Sequence, residues 1–107
     1  MTTLDLWMVR DPSGTDLFLA GELDANSSPL LPPAIATAME GGCRRLTVDA
    51  TDLAFCDSSG LRALLQDQRS VTSAGASMEL ANVHGMLGRV LEVTGLSKAF
   101  TLTSTTS

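Results

Sequence analysis

Val48-Asp49-Ala50-Thr51-Asp52-Leu53-Ala54-Phe55-Cys56-Asp57-Ser58-Ser59-Gly60-Leu61 holds the passage from strand to helix on which the fold turns. Leu46, Val48 and Ala50 alternate with polar neighbours, the period of a strand with one buried face. The run from Thr51 to Asp57 then reads as a short loop. It delivers Asp57, Ser58, Ser59 and Gly60 to the start of an amphipathic helix. That helix extends to about Val71, with Leu61, Leu64 and Leu65 directed inward, and Gly75 closes the turn behind it.

Toward the N-terminus, Leu30, Leu31, Ala34, Ile35, Ala38 and Met39 recur with helical period, and Gly41-Gly42 ends the helix they imply. Asn26-Ser27-Ser28-Pro29 is its start. Any of the first three can cap, and Pro29 or Pro32 is tolerated only in the first turn. Earlier still, Leu4, Leu6 and Met8 face one way and Asp5, Trp7 and Val9 the other, which predicts a strand over 4–10. A second strand covers Asp16 to Leu23. Asp11-Pro12-Ser13-Gly14-Thr15 joins the two as a hairpin with a five-residue connection.

Toward the C-terminus, Ser77 to Ala81 reads as a fourth strand. Val83, Met86, Leu87, Val90 and Leu91 make one stripe of a third helix stopped by Gly95, and Met78 and Met86 fit core positions. Lys98 to Leu102 can form a last short strand, and Thr103 to Ser107 reads as a frayed tail. The order β-β-α-β-α-β-α-β implies an α/β fold. Its sheet is mixed, of four or five strands, with the helices packed mainly on one face. The 107 residues show no repeat, linker or second composition and are expected to form a single domain, 1–107.

Composition narrows the function. Seven basic residues against twelve acidic ones give a net charge of −5. A nucleic-acid surface calls for a Lys/Arg footprint, so direct nucleic-acid binding is not expected, and an anionic membrane surface is equally disfavoured. No stretch approaches the length of an apolar span. Met1 to Asp5 carries no basic region leading into an apolar run, so a cytoplasmic protein is expected. Cys43 and Cys56 lack metal-ligand spacing and read as reduced, packed thiols. His84, the single histidine, reads as a surface or helix-start residue. One histidine makes no metal site, and nothing places a base beside Ser58 as a hydrolase would need. No Gly-rich phosphate loop occurs. No cofactor, no metal and no enzymatic activity are expected.

Asp57-Ser58-Ser59-Gly60 has two readings. Asp and Ser are preferred helix caps, because their oxygens accept hydrogen bonds from unpaired amides, so plain capping explains the cluster. A serine hydroxyl at a helix start can also become a phosphate, whose charge then faces those amides and the positive end of the helix dipole. Asp57 beside it would repel that phosphate. Asp24, which follows a strand and precedes a helix-start cluster, reads on its own as a turn residue.

Asp57-Ser58-Ser59-Gly60-Leu61, preceded by Leu53-Ala54-Phe55, resembles the signature of bacterial anti-sigma factor antagonists with the STAS fold. Gly21-Glu22-Leu23-Asp24 and Gly95-Leu96-Ser97-Lys98-Ala99-Phe100 resemble two further blocks of that family, so the likeness runs from about residue 16 to 103. The resemblance implies a switchable binding module. Its unphosphorylated form binds an anti-sigma factor, a serine kinase, and frees a sigma factor. Phosphorylation by that partner ends the complex, and a PP2C-type phosphatase is expected to reverse it. Carried over, the phosphorylated residue is Ser58, with Ser59 as the competing acceptor. Asp24, Asp57, Ser58, Ser59 and Gly60 are the expected partner-binding residues. Cys56 and Arg62 depart from the family pattern, where a larger apolar residue and a small residue are common. The competing reading is a STAS scaffold or regulatory subunit of a transport or signalling complex that works without phosphorylation.

Overall fold

The computed structural model describes residues 4–104. Five strands form one sheet in the order β1-β2-β3-β4-β5: β1 (Leu4–Asp11), β2 (Gly14–Leu23), β3 (Arg45–Cys56), β4 (Ser77–Ala81) and β5 (Thr101–Thr103). β1 runs antiparallel to β2, and every later neighbour pair is parallel. Each parallel step is made by one crossover helix: α1 (Leu31–Ala38), α2 (Ser58–Ser73) and α3 (Gly85–Thr94). Crossovers between adjacent parallel strands are right-handed, so three successive steps in one direction place all three helices on the same face. The core lies between that face and the helices. Leu17, Leu19, Leu46, Val48 and Leu80 supply the sheet side, and Leu31, Ile35, Leu61, Leu64, Leu87 and Leu91 the helix side.

The hairpin is tighter than its turn chemistry suggested. Only Pro12 and Ser13 separate β1 from β2. Asp11 Oδ1 accepts from the amides of Ser13 and Gly14 and from the Ser13 hydroxyl, which closes the turn with two residues instead of five. On the far face, Trp7 and Phe18 are register partners whose rings stack 5.5 Å apart.

β3 differs most from expectation, because the predicted loop over 51–57 is strand as far as Cys56. Between the Phe18–Asp49 and Ala20–Asp52 pairs, β2 advances two residues and β3 three. Between the Gly21–Leu53 and Glu22–Phe55 pairs, β2 advances one and β3 two. Each extra residue is a bulge that shifts the alternation. Inward positions therefore fall at Leu46, Val48, Ala50, Leu53 and Cys56, and the two final steps of three hide the strand period.

Other expectations need smaller corrections. A 3₁₀ turn, Ser28–Leu30, precedes α1, and neither start is capped by a side chain. α3 begins at Gly85, not Val83, which leaves Met86 exposed in its first turn, outside the core; Leu87 and Leu91 carry the buried stripe. Gly95 ends α3 in the left-handed conformation at φ 73°. A second 3₁₀ turn, Leu96–Ala99, and the buried Phe100 displace the last strand from 98–102 to Thr101–Thr103. Thr103 is therefore not part of a frayed tail; its carbonyl accepts from the Asn82 amide at 2.9 Å. Residues 105–107 of that expected tail lie outside the described residues.

One buried group runs against the core. Asp67 sits on the inward stripe of α2 with Gly60, Leu61, Leu64 and Val71, and its Oδ2 finds no partner among the described residues. Burial pushes its carboxyl from 3.8 up to about 6. The folded chain thus holds this proton more tightly than the unfolded chain. Stability should fall as pH rises from about 4 to about 6 and stay lowered above that range. Asp67→Asn removes the ionisation. In urea melts it should flatten that pH dependence and gain up to about 3 kcal/mol at neutral pH, since each pKa unit is worth about 1.4 kcal/mol. A variant that keeps the wild-type pH profile would show that Asp67 is not its source.

Candidate functional site

The site is built where two parallel strands end side by side. Leu23 of β2 pairs with Cys56 of β3, and both side chains are completely buried. The Asp57 amide donates to the Leu23 carbonyl at 3.2 Å, the last bond of this ladder. The next residues, Asp24 and Asp57, therefore leave the sheet from neighbouring strands, with backbones roughly 5 Å apart.

Each aspartate organises the backbone on its C-terminal side. Asp57 is extended, at φ −100° and ψ −171°, and is the N-cap of α2, its Oδ1 accepting from the Gly60 amide at 2.9 Å. Asp24 Oδ1 accepts from the amides of Asn26 and Ser27, both at 3.0 Å, and from the Ser27 hydroxyl at 3.2 Å. Ser27 is fully buried; its hydroxyl accepts from the Asp24 amide and shares its one proton between the Glu22 carbonyl, at 2.8 Å, and the more distant Asp24 Oδ1. Ser27 therefore does not cap the helix. It ties the turn after β2 back to the strand end, a role that Asp-x-x-Ser spacing could have signalled.

Ser58 is the first residue of α2 and is exposed, with no side-chain hydrogen bond among the described residues. The cap is Asp57, so the Ser58 hydroxyl is not needed to start the helix. Ser59 is half-buried and turned toward the turn before α1. There it lines a cleft of about 240 Å³ with Ala25, Ser28, Arg62, Ala63 and Gln66. Gly60 was expected among the contact residues, but it is buried and presents no surface. A Cβ on it would stand 2.6 Å from the Leu23 carbonyl oxygen, 2.8 Å from Leu23 Cγ and 3.0 Å from Cys56 Sγ. Glycine is thus required by the close approach of α2 to the strand ends.

Cys56 lies beneath this junction. Burial, and then the nearby Asp57 charge, push its thiol up to about 12, so it stays protonated and inert at neutral pH. Cys43 is half-buried, and both cysteines are free.

A second polar group escaped sequence reasoning because its members are far apart in the chain. Asp49 accepts from the Thr51 amide and hydroxyl and from the Asn82 side-chain amide. Burial raises its carboxyl, but these donors together hold it below the usual carboxylate range. His84 is exposed at the N-cap position of α3 without capping it, and its Nε2 lies 2.8 Å from the Thr51 carbonyl. A carbonyl only accepts, so Nε2 carries the proton.

The chain matches a known family. The family model described as "Mlab, STAS domain" covers residues 8–104. This chain belongs to the STAS domain family.

Within the STAS family, curated relatives are named as antagonists of anti-sigma factors. The anti-sigma-B factor antagonist of Listeria monocytogenes is 31% identical over 88 residues, which are 82% of this chain and 77% of that protein. The structure of the anti-sigma factor antagonist SpoIIAA in its unphosphorylated form superposes with a TM-score of 0.78 at 22% identity. It covers 96% of this chain and 90% of that one. The Bacillus cell fate determinant SpoIIAA in its phosphorylated form gives a TM-score of 0.71 at 25% identity, covering 97% and 92%. The mixed sheet packed with helices that the sequence implied is the STAS fold of these structures.

The Gly60 contact gives a direct test. Alanine favours a helix over glycine by about 1 kcal/mol, yet Gly60→Ala should destabilise the domain by about 1–3 kcal/mol, because its Cβ meets backbone that cannot move aside. For a chain of this size that lowers Tm by roughly 4–8 °C per kcal/mol. An unchanged or raised melting temperature would contradict the close approach.

Proposed function

We propose that this chain is an anti-sigma factor antagonist switched by phosphorylation at Ser58. The unphosphorylated form binds an anti-sigma factor and so frees a sigma factor. That same partner, a serine kinase using ATP, phosphorylates Ser58 and ends the complex, and a PP2C-type phosphatase restores it. The observation that carries this reading is the exposed Ser58 hydroxyl at the first position of α2, directly after Asp57, which leaves the sheet beside the strand end that precedes Asp24. A phosphate there faces the amides of the first turn and the positive end of a 16-residue helix, so the domain can accept it without unfolding. Docking would bring the partner against Asp24, Asp57, Ser58 and Ser59, where a neutral hydroxyl becomes a group of charge about −2. Gly60 supports that surface from beneath.

The chain acts by binding and not by catalysis, since the phosphoryl group comes from the partner. We take residues 1–107 as one STAS domain working in the cytoplasm, where sigma factors meet RNA polymerase. Among the described residues no helix is long and apolar enough to cross a membrane.

Intact mass after incubation with ATP and a candidate anti-sigma kinase should rise by one phosphate, and peptide mapping should place it on Ser58 and not Ser59. Ser58→Ala should fold normally, because Asp57 supplies the cap, and should keep anti-sigma binding while refusing the phosphate. Ser58→Asp should weaken binding on the order of tenfold, about 1.4 kcal/mol, a partial effect because a carboxylate carries less charge and fewer acceptors than phosphate. Full labelling of Ser58→Ala would refute the site. If neither serine is ever labelled, the chain is a STAS scaffold that works without phosphorylation.

A further inference from the structure

Arg62 stands one turn after Ser58 on α2, and both residues are exposed. Residues four apart share a helix face, and each Cα–Cβ bond tilts toward the helix N-terminus. A long side chain at position 62 can therefore reach back to the turn that holds Ser58, and Arg62 already lines the cleft beside Ser59. Among the described residues Arg62 has no hydrogen-bond or ion-pair partner. Arg10, by contrast, donates to the carbonyls of Thr37 and Glu40, and Arg45 pairs with Glu79. Asp57 is adjacent to Ser58, and Asp24 follows the neighbouring strand end. Arg69, the other arginine of α2, is roughly 16 Å further along the axis and out of reach.

We propose that Arg62 is a positioning residue for the phosphorylated state, its guanidinium clamping a phosphate on Ser58 within the same helix. The inference rests on the reading of Ser58 as the phosphorylated residue. An anion four residues before a cation is the favourable order along a helix. A planar guanidinium can also donate to two phosphate oxygens at once, which an ammonium cannot match. The clamp offsets the repulsion from Asp57 and holds the phosphate over the first-turn amides. It also redirects Arg62. In the unphosphorylated chain the guanidinium is open to a carboxylate on the partner; in the phosphorylated chain it is engaged in cis. Phosphorylation thus removes one positive charge from the docking surface while adding a negative group to it.

The test places phosphoserine genetically at position 58 of the full chain, in the wild type, Arg62→Gln and Arg62→Lys, and titrates the phosphate by ³¹P NMR. The second phosphate pKa should be about 0.3 unit lower in the wild type than in Arg62→Gln, with Arg62→Lys between them. The gap should shrink at about 1 M salt, where the screening length falls to roughly 3 Å. Equal pKa values in the wild type and Arg62→Gln would overturn the clamp. Because the phosphoserine is installed directly, a kinase that never labels Ser58 refutes the switch and leaves the clamp measured. Equal pKa values refute the clamp and leave the switch standing.

Discussion

The pairing of Leu23 with Cys56 at the ends of β2 and β3 fixes the position of every group at the site. Both side chains are fully buried, so a slip of one residue would turn each toward solvent and cost the burial of both. Through this register the Asp57 amide meets the Leu23 carbonyl, and α2 begins directly above it. Gly60 lets the helix come down onto that carbonyl, where any Cβ would collide. Ser58 stays at the surface while Asp57 before it is committed to the cap and Gly60, two residues on, to the core.

β3 reaches that register only by carrying two more residues than β2 over the shared stretch. Without the bulges Cys56 would not lie opposite Leu23, and α2 would start on a different heading. The irregular half of β3 is therefore what aims the site. The regular half, through Leu46 and Val48, only packs the core.

Asp24 and Asp57 each have a structural task that cannot be separated from an interaction role by simple deletion. Asp24 Oδ1 organises the turn around the buried Ser27, and Asp57 Oδ1 starts α2. Both leave negative charge at the strand ends of a chain already at −5. Asp67, on the same helix, is buried and lies away from this surface.

Much of this was legible in the sequence, since elements with an undisturbed period were placed correctly. Ser77–Ala81 and the start of α2 at Ser58 came from local patterning, as did the mixed character of the sheet. So did the Asp57-Ser58-Ser59-Gly60 cluster and the stop at Gly95, because caps and turns are chemistry between near neighbours. The sequence did not carry anything that depends on a second strand or a distant segment. The bulges of β3 exist only relative to β2. Gly60 is required by a carbonyl 37 residues earlier in the chain. The Asp49–Asn82 bonds, the exposure of Met86 and the unpartnered Asp67 likewise depend on which surfaces meet. The sequence alone determined the order of elements and the residue types at the helix start. Only the tertiary structure decided the register that sets Asp24 beside Asp57 and the close approach that puts Gly60 beneath the surface, because hydrogen-bond register and close packing act between segments that no local period connects.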